Sequence, residues 1–421
     1  MDALERGQRL FRDRAGGRAF QPSRRGLLLG GVLSLTLGLA QACATVGPRE
    51  DLAAAITPVI LRDLAAGHVP GAVVVVGRQG RTVFRQAFGE RALVPAPAPL
   101  RAGDIFDLAS LTKVIATAPA VMQLVEQGRI ALDAPAAAYW PAFAANGKGA
   151  ITVRQLLTHT SGLAPDLDMS APWSGQDEGL RRAAAVRPVR AAGSAFVYSD
   201  IDFIVLGEIV ARVSGQPLDV YAHEHVFAPL GMTATGFRPP ADRLSRIVAT
   251  ERIDGRLRWG EAHDPTAWRM GGVAGHAGLF STADDLARFA RMLLAGGALD
   301  GVRILKPETV SAMTRPQLLP GGARRALGWD VSSAYSLGFD QAFGPASFGH
   351  TGYTGCLIWI DPASGGYLII LTSRLHPDGR GDVKPLRQDL GRLVGALNRE
   401  GVRPTAVEAG SPNARPRAGP S

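Results

Sequence analysis

Apolar residues recur at helical spacing over residues 51–66, and the pattern stops at Gly67. The period then changes. Residues 72–76 are an unbroken Ala/Val run, residues 82–88 are rich in β-branched and aromatic side chains, and Arg78-Gln79-Gly80 between them signals a hairpin turn. A long apolar helix is expected from Ser110 to Gln127, ended by Gly128, with Pro119 bending it or marking a change of register. From about 130 to 300 the pattern is mostly helical and loop-rich. It includes helices over 203–213, ended by Gly215, and 284–294, ended by Gly296-Gly297, the second capped by Ser281 or Thr282. Strand signals return at 326–331. Residues 356–360 and 367–372 pair across Pro362-Ala363-Ser364-Gly365-Gly366, and 383–397 forms a closing helix.

Strands at both ends with helices between them predict an α/β fold of the α+β type. Its antiparallel sheet is flanked by the terminal helices and carries an inserted all-helical lobe at about 126–304. Residues 43–400 then form a single domain. After Val402 the composition turns to Pro, Ala, Gly and Arg, which predicts a disordered tail over 401–421. The first 42 residues read as an export signal. Ser23-Arg24-Arg25-Gly26-Leu27-Leu28 has a twin-arginine look, and the apolar stretch after it, to Leu39, is short for a membrane span. Ala40-Gln41-Ala42-Cys43 reads two ways: as an Ala-x-Ala cleavage site, or as a lipoprotein box that leaves lipidated Cys43 first.

With 421 residues, 46% of them hydrophobic, the chain can bury one large core or two lobes. Much of the formal charge of +9 sits in the first 42 residues, which hold seven Arg against three acids; the remainder is +5 (39 basic, 34 acidic). That charge is spread out, with no basic stripe interleaved with aromatics, so nucleic acid is not an expected partner. Two cysteines are present, and Cys356, in a strand-like run, reads as a small buried hydrophobe.

The candidate chemistry rests on three short motifs. Ser110-Leu111-Thr112-Lys113 is the one S-x-x-K in the chain, and on a helix it puts the ammonium one turn from the hydroxyl. A serine needs a base before it attacks, and a lysine with suppressed charge can serve. Of six tyrosines, Tyr198 alone has an amide or carboxyl side chain two positions on, in Tyr198-Ser199-Asp200. His350-Thr351-Gly352 precedes Tyr353-Thr354-Gly355 and a strand-like run.

S-x-x-K, then Y-x-N/D, then K/H-T-G resembles the serine β-lactamase and penicillin-binding-protein superfamily, over roughly residues 50–400. The tyrosine resembles its class C branch of D-peptidases and esterases. Gly275-His276-Ala277-Gly278-Leu279-Phe280-Ser281-Thr282 resembles the penicillin-binding protein 4B-like branch, and residues 153–163 resemble a buried helix-to-turn segment of that family. The resemblance implies an acyl-enzyme at Ser110 and a proton relay through Lys113 and Tyr198, with either as the base. It implies an oxyanion hole from the backbone N–H groups of Ser110 and Tyr353, and a cleft in which His350-Thr351-Gly352 lies on an edge strand. No cofactor or metal is implied.

Two positions depart from the family pattern. Asp200 stands where asparagine is common; its carboxylate can accept from Lys113 but cannot donate to a substrate carbonyl. His350 stands where lysine is usual, so a substrate carboxylate would meet a ring that titrates near pH ~6.5 when unperturbed. Arg374 is a candidate supplementary cation. His159 and His276, in Gly-rich turns, read as structural. His223-Glu224-His225 has the wrong spacing for H-E-x-x-H, His263-Asp264 lacks a G-x-S-x-G elbow, and Gly271-Gly272-Val273-Ala274-Gly275 lacks the following G-K-S/T of a phosphate loop.

The expectation is an exported serine hydrolase, periplasmic or held at a membrane through lipidated Cys43. Its substrates would be D-amino-acid peptides, peptidoglycan fragments, β-lactam-like amides or esters. The alternative is a penicillin-recognising sensor module that acylates and turns over poorly.

Overall fold

The computed structural model describes residues 48–400. The expected export signal over 1–42, Cys43 and the expected tail over 401–421 lie outside the described residues.

A nine-stranded antiparallel sheet carries the site. Its strands are β1 (Gly71–Arg78), β2 (Arg81–Ala92), β3 (Ala98–Pro99), β4 (Gln317–Leu318), β5 (Arg324–Arg325), β6 (Asp330–Ser332), β7 (Phe348–Thr351), β8 (Leu357–Asp361) and β9 (Gly366–Thr372). In space they run β4-β5-β6-β7-β8-β9-β1-β2-β3, so the C-terminal meander meets the N-terminal hairpin at the β9–β1 pair. The β1–β2 turn has Gln79 and Gly80 both at positive φ, as a tight hairpin requires.

Strand alternation splits the core into two layers. Val74, Val76, Leu368 and Ile370 face Ile56 and Ile60 of helix α1 (Pro48–Ala65) and Leu386, Leu390 and Val394 of the closing helix (Lys384–Glu400). Val73, Val75, Ile369 and Leu371 belong to the second layer, with Leu286 and Phe289 of the helix Ala283–Leu294. Thr282 caps that helix by accepting from the Asp285 N–H, and Ser281 ends a strand instead. Both terminal helices therefore cover one face of the sheet, as the pattern predicts. The lobe expected to be all-helical at about 126–304 is corrected: its helices share the region with loops, with a small sheet in which Leu279–Ser281 pairs with Phe106–Asp107 and Gly236–Phe237, and with two short hairpins, Arg252–Ile253 with Arg256–Leu257 and Ala298–Leu299 with Val302–Arg303. Strands of two or three residues carry too little alternation to read in the sequence.

Three local expectations are corrected. The segment after Ser110 is not one α-helix: a 3₁₀ turn (Ala109–Leu111) leads into a π-helical turn (Lys113–Thr117), and the α-helix α2 begins at Ala118. Pro119 lacks the N–H that an α-turn would donate back, so it sits at the start of α2 and the wider turn comes before it. Residues 326–331 are not one strand. Ala326–Trp329 is a turn, closed by an Ala326 N–H to Trp329 C=O bond and with Gly328 at φ +87°, and it joins β5 to β6. Finally, β7 is interior, flanked by β6 and β8. Its β6 pairing is a single register pair, Asp330 with Gly349, so His350 and Thr351 are paired on one side only and can still face a cleft.

Candidate active site

The turn that carries Ser110 is anchored before it begins. Asp107, fully buried, accepts the Ala109 N–H (2.8 Å) and the His263 N–H (2.7 Å). Ala109 then takes φ +46°, a left-handed conformation that costs an alanine about 1–2 kcal/mol and holds only because its surroundings fix it. Thr112 Oγ1 donates to the Ala109 carbonyl and accepts the Leu279 N–H, which locks the turn to the small sheet.

Lys113 is buried and reaches three oxygens. Its Nζ lies 3.1 Å from Ser110 Oγ, 3.1 Å from the His276 carbonyl and 2.6 Å from an Asp200 carboxylate oxygen. Tyr198 covers it, with the ammonium 4.9 Å from the ring centroid. Asp200 opens helix α3 (Asp200–Ser214), so the Y-x-D spacing turns phenol and carboxylate toward one ammonium. Burial alone would lower the Lys113 pKa, but Asp200 and Tyr198 outweigh it and hold the pKa above its ordinary value. Lys113 is therefore a resident cation. Burial also raises the Tyr198 pKa, opposed by Lys113 and reinforced by Asp200.

Asp200→Asn removes a charge that raises both pKa values, so either candidate base loses its proton at lower pH. The ascending limb of kcat/KM against pH should move to lower pH than in the wild type. A limb that stays put or moves up would mean that Asp200 does not set the relay.

The third motif reaches the same place from the sheet. His350 and Thr351 pair with Ile358 and Leu357, and the chain then turns at Gly352. A Cβ at Gly352 would lie 2.4 Å from the Leu108 carbonyl, so glycine lets β7 close against the turn that carries Ser110. Thr354 Oγ1 donates to the Asp107 carbonyl, and Arg387 of the closing helix donates to the Gly352 and Cys356 carbonyls. Cys356 is buried, its thiol pushed up to about 12 by burial, as the sequence reading of a small hydrophobe implies. Ser110, Tyr198, His350, Thr351, Gly352 and Tyr353 line one cavity of about 610 Å³. All eight sequence-selected residues thus converge, with Lys113 and Asp200 directly behind Ser110 and Tyr198.

The ordinary titration that residue type suggests for His350 is corrected. His350 is 4% exposed, and burial, then Arg325 and Lys113, push its pKa well below the ordinary histidine value. Its Nδ1 lies 2.8 Å from the Thr351 carbonyl oxygen and so donates to it, which leaves Nε2 without a partner among the described residues. The ring is a neutral strand residue, and no carboxylate-binding titration near pH ~6.5 is expected from it.

Sequence reasoning missed Arg325. Register places Arg325, Asp330 and Gly349 in one row across β5, β6 and β7, beside His350. Arg325 borders the cavity from a fully buried position, with its guanidinium carbon 5.3 Å from the Phe196 ring centroid and 5.9 Å from that of Tyr198. Asp330 is a loose partner at 3.5 Å, and Nε has none among the described residues. Strand alternation around 326–331 hid it, because Arg325 lies just before the turn that divides that run. Arg374, the sequence candidate, lies at the rim: it donates to the Tyr353 and Gly381 carbonyls and stacks on the exposed Tyr353 ring.

The two histidines read as structural have defined partners. His159 accepts the Ser199 N–H on Nδ1, stacks 4.5 Å from the Tyr198 ring centroid, and is kept neutral by burial. Its neighbours Ser161 and Asp202 do not form a working triad with it. All three are buried, and burial holds the Asp202 carboxyl well above its usual pKa. His276 pairs with Asp264 at 2.8 Å, while His263 pairs with Glu251 at 2.6 Å. Asp200, Asp264 and His276 bring ligand-type atoms within 4.8 Å of one another, and the cation lying against this cluster is the Lys113 ammonium.

The profile of the Beta-lactamase family matches residues 57–392, most of the chain. The chain belongs to that family. Among its relatives, the N-acetylmuramyl-L-alanine amidase of Bacillus subtilis (strain 168) is 33% identical over 360 residues, covering 76% of this chain and 80% of the relative. A protein of Escherichia coli (strain K12), provisionally named D-alanyl-D-alanine carboxypeptidase, is 32% identical over 345 residues, covering 73% and 79%. A crystal structure of a penicillin-binding protein homologue from Caulobacter crescentus superposes with a TM-score of 0.67 at 26% identity, covering 82% of this chain and 97% of that one. This β-lactamase-family chain is a serine hydrolase, and its antiparallel sheet with flanking helices is that family's fold.

Proposed function

We propose that the protein is an exported D-peptidase that hydrolyses D-amino-acid peptides of the peptidoglycan type through an acyl-enzyme at Ser110. The carrying observation is the unbroken arrangement of Ser110, Lys113, Asp200 and Tyr198 at the head of a cavity with a cationic far wall. Arg325, Arg374, Lys384 and Arg387 line that cavity against Asp330 and Asp382. The names borne by the relatives support cell-wall amides as the substrate class. The Arg24-Arg25 segment supports export, with a lipid anchor at Cys43 as one outcome of processing.

Ser110 Oγ attacks the acyl carbon and its proton passes into the relay. With Lys113 held as an ammonium, Tyr198 is the acceptor; burial and Asp200 disfavour its phenolate, and the adjacent Lys113 cation offsets part of that. The phenolate fraction grows with pH, so the rate rises toward alkaline pH. The backbone N–H groups of Ser110 and Tyr353 take the oxyanion. The relay returns the proton to the leaving amine. Water then attacks the acyl-enzyme, with Tyr198 again as base.

A substrate's free carboxylate would be drawn by the field of Arg325, which borders the cavity from a buried position and supplies the fixed cation that position 350 does not. Arg325→Met should lower kcat/KM for an N-acylated D-alanyl-D-alanine peptide by about 10–100-fold and leave the corresponding neutral ester within about threefold. Equal losses on both substrates, or none on the peptide, would overturn carboxylate recognition and favour esters as substrates.

A further inference from the structure

We propose that the buried Asp264–His276 pair is a positioning device for the relay, holding the glycine-rich turn 271–278 so that the His276 carbonyl and Asp200 together fix the Lys113 ammonium against Ser110. This rests on Ser110 being the nucleophile, and it assigns a task to two residues that touch no substrate.

The geometry is specific. His276 is fully buried and its carbonyl accepts from Lys113 Nζ at 3.1 Å. The adjoining Gly275 carbonyl accepts from Thr117 Oγ1 at 2.7 Å, so two successive carbonyls of the turn hold the π-helical turn that carries Lys113. The turn is packed too closely to adjust by sliding. A Cβ at Gly275 would lie 1.9 Å from the Phe203 carbonyl oxygen, and one at Gly278 would lie 2.4 Å from that of Gly272. What anchors it from outside is the His276 ring. Its Nε2 lies 2.8 Å from Asp264 Oδ1, and the same carboxylate oxygen accepts the Ala267 N–H at 2.8 Å. Asp264 therefore ties the turn to a neighbouring segment, and removing it releases the carbonyls that orient the ammonium.

The groups facing this pair are Lys113 from the segment that carries Ser110, Asp200 from the start of α3, Asp166 from the loop before the helix Gln176–Ala185, and, through Asp264, Asp107 and Arg258. Burial alone would lower the His276 pKa, but Asp264 outweighs it and the pKa is raised; coupling to His276 opposes burial at Asp264 and lowers that carboxyl. A raised histidine pKa means that the ionic clamp is complete below the ordinary value and weakens as pH rises through the folded one. Deprotonation takes place at Nδ1, which has no partner among the described residues, and leaves a weaker neutral hydrogen bond to Asp264.

The test is the second-order rate of fluorophosphonate acylation of the full chain between pH 6 and 10, for wild type, Asp264→Asn, His276→Gln, His276→Ala and Asp200→Asn/Asp264→Asn. Misplacing the ammonium by a fraction of an ångström should slow Asp264→Asn by about 10–100-fold at neutral pH, with KM for a neutral ester within about twofold. The wild-type to Asp264→Asn ratio should narrow as pH rises through the His276 titration. His276→Gln, whose amide can still donate to Asp264, should retain more rate than His276→Ala. The double variant should lose less than the product of its singles, because both act through Lys113. Unchanged acylation, or a pH-independent loss accompanied by a lower Tm, would overturn the proposal; if Asp264→Asn fails to fold, the Gln-against-Ala comparison decides it. A Ser110→Ala control that still becomes labelled would overturn the nucleophile assignment instead, so the two failures are distinguishable.

Discussion

Ser110→Ala should abolish both hydrolysis and covalent labelling while leaving Tm and the circular dichroism spectrum close to wild type. The loss should be on the order of 10³-fold or more, because Ser110 carries the cavity hydroxyl that lies 3.1 Å from the Lys113 ammonium. The fold should tolerate the change, since Ser110 has no role in the core. The turn that holds it is fixed by Asp107, Thr112 and the Gly352–Leu108 approach, none of which uses the Ser110 hydroxyl. Labelling at another serine in this variant would remove the nucleophile assignment.

Lys113→Ala should be nearly as severe, and for a separable reason. It deletes the cation that lies 3.1 Å from the nucleophile and favours the Tyr198 phenolate, and it leaves Asp200 with an unpaired carboxylate. Tyr198→Phe removes the proposed proton acceptor itself. Each single change should cost on the order of 10³-fold in kcat, and the double variant about the same as either alone, because groups that act as one relay are not additive. A double variant that loses the product of the two effects would show independent roles. Because a buried carboxylate without a partner destabilises, Lys113→Ala should also lower Tm, whereas Lys113→Ala/Asp200→Asn should recover part of that loss.

Much of this architecture was legible in the chain because its signals are local. The S-x-x-K spacing, the Y-x-D spacing and the Gly-rich third motif each place side chains within one turn or one strand, and the hairpins at 72–88 and 356–372 come from period and turn residues alone. Arg325 was not legible. Its function depends on register across β5, β6 and β7, and register follows from a turn at 326–329 that reads locally as a strand. The neutral state of His350 was hidden for the same reason: residue type suggests a titrating cation, while burial and two neighbouring cations decide otherwise. The broken helix after Ser110 was half visible, since Pro119 announces a change of register but not that a π-turn absorbs it. Asp264 and His276 stand twelve residues apart, and no periodicity links them.

The central claim is a transient acyl-enzyme at Ser110 that a Lys113–Tyr198 relay forms and water resolves. Its most direct test is mass spectrometry of the wild-type protein quenched at intervals after mixing with an N-acylated D-alanyl-D-alanine peptide or its thioester. The predicted result is an adduct of the acyl half alone, mapped to the tryptic peptide holding Ser110, which appears within the first turnover and disappears as free acid accumulates. An adduct on any other residue, or hydrolysis with no adduct at any time, would contradict the claim. An adduct at Ser110 that persists without product would instead support a sensor that acylates and does not turn over.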